Sequence, residues 1–144
     1  ANREVVINEA SGQTDFRAET NSYSTALLVD ASADNVQINA TPVFGLTQLL
    51  TGAGAVDVVS AITEIVTAGA QALTLADGVE GQLKIIIHKT RSNGQNLVIT
   101  PTNFAAGATL TSNLGSRAVQ LLFDGSQWQV VAGEITGTAE MVIA

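Results

Sequence analysis

A chain of 144 residues has room for one compact domain, or a small domain with an appended arm, but not for two full-sized cores. Hydrophobic residues make up 46% of it and aromatic residues only 4%, so the apolar mass is Ala, Val, Leu and Ile, which suits thin, close-packed strands better than a deep aromatic pocket. The net charge of −7 and the scattering of the six basic residues, Arg3, Arg17, Lys84, Lys89, Arg91 and Arg117, disfavour nucleic acid as a partner, and the lack of cysteine excludes disulfides and thiolate chemistry.

Charged residues are 13% of the chain, against roughly 25% in an ordinary soluble domain, so part of the surface is expected to be covered by partners. No run is apolar and long enough to span a bilayer. The opening Ala1-Asn2-Arg3-Glu4 lacks the apolar core of a secretory signal. An Ala at position 1 is what removal of an initiator Met leaves, so the expectation is a whole gene product not exported by that route.

From Glu4 to Asn39 four short extended segments are predicted, Glu4–Asn8, Asp15–Glu19, Ala26–Asp30 and Asn35–Asn39, separated by polar turns. In the second, Phe16 and Ala18 alternate with Asp15, Arg17 and Glu19; in the fourth, Val36 and Ile38 alternate with Asn35, Gln37 and Asn39. Short connections such as Ala10-Ser11-Gly12-Gln13 suit an antiparallel meander. Its apolar area is too small to offset the ordering entropy of roughly 1–2 kcal/mol per residue, so this part must pack on something else.

Thr41-Pro42 and Thr51-Gly52-Ala53-Gly54-Ala55 punctuate the middle, and the boundary is placed there: an arm over 1–45, a linker over 46–57 and a β-sandwich domain over 58–144. Leu46–Leu50 reads equally as a helical turn or a strand, and Gly52-Ala53-Gly54, with no Lys-Ser/Thr after it, reads as a flexible joint and not a phosphate loop.

Eight further strands are predicted: Ile62–Thr67, Ala72–Leu75, Gln82–Lys89, Asn96–Thr100, Thr109–Ser112, Ala118–Phe123, Gln127–Ala132 and Ala139–Ile143. Val58, Ile62, Ile65 and Val66 could share a helical face, but their β-branching and the nearby Gly69 favour a strand. Asp77-Gly78, Asn93-Gly94 and Asp124-Gly125 are turn pairs, the last marking a hairpin from Leu121-Leu122-Phe123 to Trp128-Gln129-Val130. The fold class is therefore all-β, an N-terminal short-strand meander or arm followed by an antiparallel β-sandwich or jelly-roll-like domain.

The search for chemistry returns little. His88 shares strand parity with Ile86 and reads as a hydrogen-bonded filler, not a general base. Asp57, Glu64, Asp77, Glu80, Asp124 and Glu134 fall mostly at turns and strand ends, where they solvate loops. Asp30, Asp34 and Asn35 lack the spacing of an EF-hand and read as turn caps. Trp128, the only tryptophan, reads as a structural anchor. No enzyme activity, cofactor or metal is expected.

Two stretches resemble virion proteins of tailed phages. Val5-Val6-Ile7-Asn8-Glu9, then Asp15-Phe16-Arg17-Ala18-Glu19, then Leu28-Val29-Asp30-Ala31-Ser32-Ala33-Asp34-Asn35-Val36, looks like a module of phage fibres, departing from it at Gln37-Ile38-Asn39 where that module has a glycine-flanked isoleucine. Ala72-Leu73-Thr74-Leu75-Ala76-Asp77-Gly78 through Gly81-Gln82, Val98-Ile99-Thr100-Pro101-Thr102-Asn103-Phe104 and Val119-Gln120-Leu121-Leu122-Phe123 with Trp128 is similar to a β-domain of structural proteins of marine and cyanobacterial phages.

The resemblance implies a homotrimer, made in the host cytoplasm and carried on the virion, with the major capsid protein as partner and neither nucleic acid nor membrane. One small unit suits a capsid decoration or cement protein on the outside of the head better than a long tail fibre; a short head or tail fibre with receptor or glycan binding is the alternative. Intersubunit contact is expected at both chain ends, through Val5, Ile7, Phe16, Arg17 and Leu28 on one side and Met141, Val142 and Ile143 on the other, with strand addition to a neighbour's sheet edge as the mode.

Overall fold

The computed structural model describes residues 16–18, 26–30, 32–33, 35–69, 71–133 and 141–143. These residues form thirteen strands and no helix, so the chain is all-β. It divides into two compact units, Ala1–Val43 and Phe44–Ala144.

The first unit is the expected meander. Strands β1 (Phe16–Ala18), β2 (Leu27–Asp30) and β3 (Asn35–Ile38) pair antiparallel in that order, with Arg17 opposite Leu28 and Leu28 opposite Gln37. Asp30 shapes the β2–β3 turn: its Oδ1 accepts from the Ser32 amide (2.9 Å), the Ser32 hydroxyl (2.6 Å) and the Ala33 amide (3.0 Å). Those donors, led by the Ser32 hydroxyl, hold its pKa below the usual carboxylate value, so the cap reading is the one the geometry has. The segment expected at Glu4–Asn8 lies outside the described residues.

The second unit begins at Phe44, near the end of the expected arm, and takes in the whole of the expected linker. Residues 46–57 carry β4 (Thr47–Thr51) and β5 (Gly54–Val56), and Gly52-Ala53-Gly54 is the tight turn between them, not a joint. Gly52 and Gly54 adopt φ of +91° and +156°, which a side chain would strain. Gln48 braces the turn, its Nε2 donating to Ala55 O at 2.9 Å and its Oε1 accepting from the Asp57 amide at 2.9 Å.

The chain then alternates between two five-stranded sheets. One has the order β12-β11-β8-β6-β4 and the other β13-β10-β9-β7-β5. Here β6 is Ile62–Thr67, β7 Leu73–Leu75, β8 Leu83–Arg91, β9 Leu97–Pro101, β10 Leu110–Ser112, β11 Arg117–Phe123, β12 Trp128–Gly133 and β13 Met141–Ile143. Strands β4, β6 and β8 are mutually parallel, as are β5, β7 and β9, so β4–β5, β6–β7 and β8–β9 stack as three rungs.

After β9 the direction reverses. Strand β10 runs antiparallel to β9 and β13 antiparallel to β10; in the other sheet β11 runs antiparallel to β8 and β12 to β11. The expected antiparallel pairing thus holds for the later half of each sheet and is replaced by parallel pairing in the earlier half. The reason lies in the turns. Asn93 (φ 53°) and Gly94 (φ 70°) do adopt the predicted left-handed conformation, but they carry the chain from one sheet to the opposing one. An arch of this kind returns the next strand parallel to the one before last.

Strand alternation aims one row of each sheet inward. Val56, Leu73, Leu75, Leu97, Ile99 and Leu110 from one sheet and Ile65, Ile86, Val119, Leu121, Phe123 and Trp128 from the other form a single buried cluster, so the two sheets share one core. Strand β6, where a helical face was the alternative, buries Thr63, Ile65 and Thr67 at strand period.

Trp128 anchors one end of that core. It is fully buried, its Nε1 donates to Ala76 O at 2.9 Å, and the Phe123 ring meets it edge-on at 5.2 Å. It opens β12 directly across from Phe123, so the predicted Asp124-Gly125-Ser126 hairpin is the β11–β12 connection. Asp124 holds that turn through the Ser126 and Gln127 amides (both 2.9 Å) and Gln129 Nε2 (2.7 Å); with the Gln129 amide as the largest cause, its pKa is held well below the carboxylate range.

Candidate interaction surface

Among the described residues, His88, Lys84 and the turn aspartates are enclosed or committed. His88 on β8 is fully buried, with Nε2 3.2 Å from Thr67 Oγ1 and Nδ1 3.2 Å from Ser112 Oγ. Thr67 Oγ1 also lies 3.0 Å from Gln95 O, and Ser112 Oγ 2.9 Å from Leu114 O. A neutral ring is satisfied by this arrangement: its one N–H donates to one hydroxyl, while the other hydroxyl turns its proton to the bare nitrogen. Burial lowers the His88 pKa, the Leu114 backbone opposes that shift, and the Arg91 charge adds to it. The histidine therefore stitches one sheet to the other, the filler role its strand parity suggested.

Lys84, four residues earlier on the same inward row, is also fully buried, and its Nζ donates to Ser60 O. Burial lowers its pKa and the nearby Asp57 charge opposes the shift. Asp57 itself caps the turn before β6, its Oδ1 accepting from the Val59 amide (2.9 Å) and the Ser60 amide (2.6 Å) and its Oδ2 from the Ser60 hydroxyl (3.1 Å). The Ser60 amide is the largest cause of its lowered pKa, and Lys84 contributes. Sequence reasoning did not single out Lys84; its parity with Ile86 and His88 was the available signal.

Among the described residues no three His, Asp or Glu side chains come together as metal ligands would. Two depressions on the second unit are shallow and open: one lies over Ile85, Ala118, Gln120 and Ala132, another over Phe44, Leu46, Val59 and Ala61. A site that must exclude water and converge several polar groups does not fit such shapes.

What does stand out is a contrast between the two outer sheet faces. On the β5–β7–β9–β10 sheet the outward row places Ala55 beside Thr74 and Thr74 beside Thr100, with Thr111 opposite Val98. On the β4–β6–β8–β11–β12 sheet the outward rows run Thr47-Ile62-Ile85-Gln120-Ala132 and Leu49-Glu64-Ile87-Ala118, with Leu83 opposite Leu122. One face is edged with hydroxyls; the other is mostly aliphatic. Leu49 is 61% exposed and Leu83 50%, while Ile62, Val66, Ile85, Ile87 and Leu122 are half-buried by their neighbours alone.

The residues expected at intersubunit contacts fall elsewhere. Phe16 and Arg17 lie on β1 and Leu28 on β2 of the first unit, whereas Val5 and Ile7 lie outside the described residues. Met141, Val142 and Ile143 form β13, which adds to its own chain's sheet with Ser112, Thr111 and Leu110 as register partners. The aliphatic outer face is drawn from none of them.

No protein-family model matches the chain, and no curated protein matches it.

Proposed function

We propose that this chain is a non-enzymatic structural protein of a tailed-phage virion, a decoration or cement protein that stabilises the head by binding the major capsid lattice as a homotrimer. The observation that carries the reading is the aliphatic outer face of the β4–β6–β8–β11–β12 sheet, a surface suited to burial against protein. Extended apolar surface of this kind marks interaction sites in soluble proteins. The enclosure of His88 and Lys84 and the commitment of Asp30, Asp57 and Asp124 to turns accord with a role without catalysis. Several weak contacts made at once by a trimer would gain strength from high effective concentration on the lattice.

The decisive experiment is imaging of virions of the encoding phage, with copy number. Density for this chain at regular positions on the outer capsid surface is expected; its absence from heads overturns the reading. A short head or tail fibre with receptor or glycan binding is the second reading, favoured by the stack of three parallel rungs, the way elongated β-solenoids are built. Density at the tail, or a glycan-array signal, selects it.

A further inference from the structure

We infer that copies of this chain meet one another through the outer face of the β4–β6–β8–β11–β12 sheet, and not through the chain ends. The inference rests on the self-association part of the proposed function and not on its trimeric order, because like face against like face is an isologous contact that joins copies in pairs.

Three observations point to a second copy as the occupant. The first is charge. A chain of net charge −7 repels its own copies, and the cost is least where the approaching surfaces are neutral. The outward rows of this sheet carry only two charged side chains among the described residues, Glu64 and Lys89, and these neutralise each other at 2.5 Å. Both remain partly exposed, Lys89 at 52% and Glu64 at 29%, so each can also reach the opposite charge on a facing copy. A patch holding both signs is self-complementary, as contact between like surfaces requires.

The second is area. Five strands of five to nine residues, about 17–30 Å long at about 4.8 Å spacing, give a face on the order of 500 Å² per copy, so two copies close about 1,000 Å², the roughly 1,000 Å² that a specific interface needs. The third is the contrast with the hydroxyl-lined face across the core. Both sheets lie on the same core, so solvent alone would select the same outward chemistry for each. Leu49, Ile62, Leu83, Ile85, Ile87 and Leu122 on one side against Thr74, Thr100 and Thr111 on the other mark the first as the covered side.

The test is sedimentation velocity of the full chain over a concentration series, comparing wild type, the double variant Leu49→Lys/Leu83→Lys, and a control, Thr74→Lys/Thr100→Lys, on the opposite face. All four positions are exposed, so folding is expected to survive; the emission maximum of the buried Trp128 verifies it. Wild type and control are expected at an even multiple of the monomer mass, a dimer or a pair of trimers. The outer-face variant is expected at half that mass, the dissociation constant of the contact raised at least about a hundredfold. A monomeric wild type at every concentration, an outer-face variant with wild-type mass, or a control that dissociates instead would each overturn the inference. Virion imaging reports separately. Oligomers broken by Leu49→Lys/Leu83→Lys in a protein missing from virions would sink the phage reading and leave the interface standing. A head protein whose oligomers ignore that variant would do the reverse.

Discussion

Substituting Gly78 with Ala tests how tightly the core end around Trp128 is built. A Cβ placed on Gly78 would lie 2.5 Å from Gln82 Oε1 and 3.0 Å from Trp128 Cη2 and Cζ2. The glutamine can swing away, but doing so forfeits the bond its Oε1 accepts from the Val79 amide (3.0 Å) and the one its Nε2 donates to Val58 O. The indole cannot retreat as easily, because Nε1 is fixed on Ala76 O and Phe123 closes the other side. Loss of one to two bonds at about 1 kcal/mol each and about 1 kcal/mol of overpacking against a rigid ring put the cost of Gly78→Ala at about 2–3 kcal/mol. Urea unfolding followed by Trp128 fluorescence measures it. In a Gln82→Ala background the glutamine share is already lost, so the same Gly78→Ala step should cost only about 1 kcal/mol, a coupling that a double-mutant cycle reads directly. A single variant within about 0.5 kcal/mol of wild type, or equal costs in both backgrounds, would refute the account of this packing.

Other perturbations have equally definite outcomes. Because the folded-state pKa of His88 is depressed, both states are neutral above the ordinary value of 6.5; as pH falls below it the unfolded chain binds the proton first, and stability is lost down to the folded pKa. The urea midpoint should therefore fall between pH 7 and 5 in the wild type and less so in His88→Gln, while the capping aspartates, whose pKa values are lowered from 3.8, lose their contribution only in more acidic solution. Asp57→Ala should cost about 1–2 kcal/mol in a part-exposed turn, and less in a Lys84→Met background where no buried ammonium is left without its carboxylate; thermal melts of the four proteins check this. Leu121→Ala, which empties a fully buried site between Lys84 and Val130 in register, should cost about 2–5 kcal/mol by chemical denaturation.

Much of the fold was legible wherever polarity alternates with strand period. The strand Ile62–Thr67 and the hairpin around Asp124-Gly125 stand where the pattern put them, and His88 and Trp128 have the buried roles expected. Strand β4 was ambiguous for a physical reason: Leu49 faces outward and Leu50 inward, both apolar, so the alternation that betrays a half-buried strand is missing. The same outer face makes Leu83 to Ile87 an almost unbroken apolar run. Strand β5 is Gly54-Ala55-Val56, too short and too glycine-rich to signal at all. Parallel pairing was hidden because Asn-Gly and Asp-Gly specify that the backbone turns, not which of two facing sheets receives it. The aliphatic outer face of the β4–β6–β8–β11–β12 sheet was not anticipated from the sequence. It is assembled across five strands by register, and no single segment displays it.

The reversal of direction after β9 makes the two rims of this fold unequal in what they can tolerate. Beside β4 and β5, every strand proceeds in the same sense, so a further coil laid against them would repeat the geometry already present and leave all downstream pairings untouched. Beside β12 and β13, two successive changes of sense return the chain to the original direction, but the pairs there are antiparallel, so an added coil would meet strands of the right sense with no coil beneath them to repeat. Lengthening by duplication, in evolution or by design, thereby continues an existing repeat at one rim and would have to start a new one at the other.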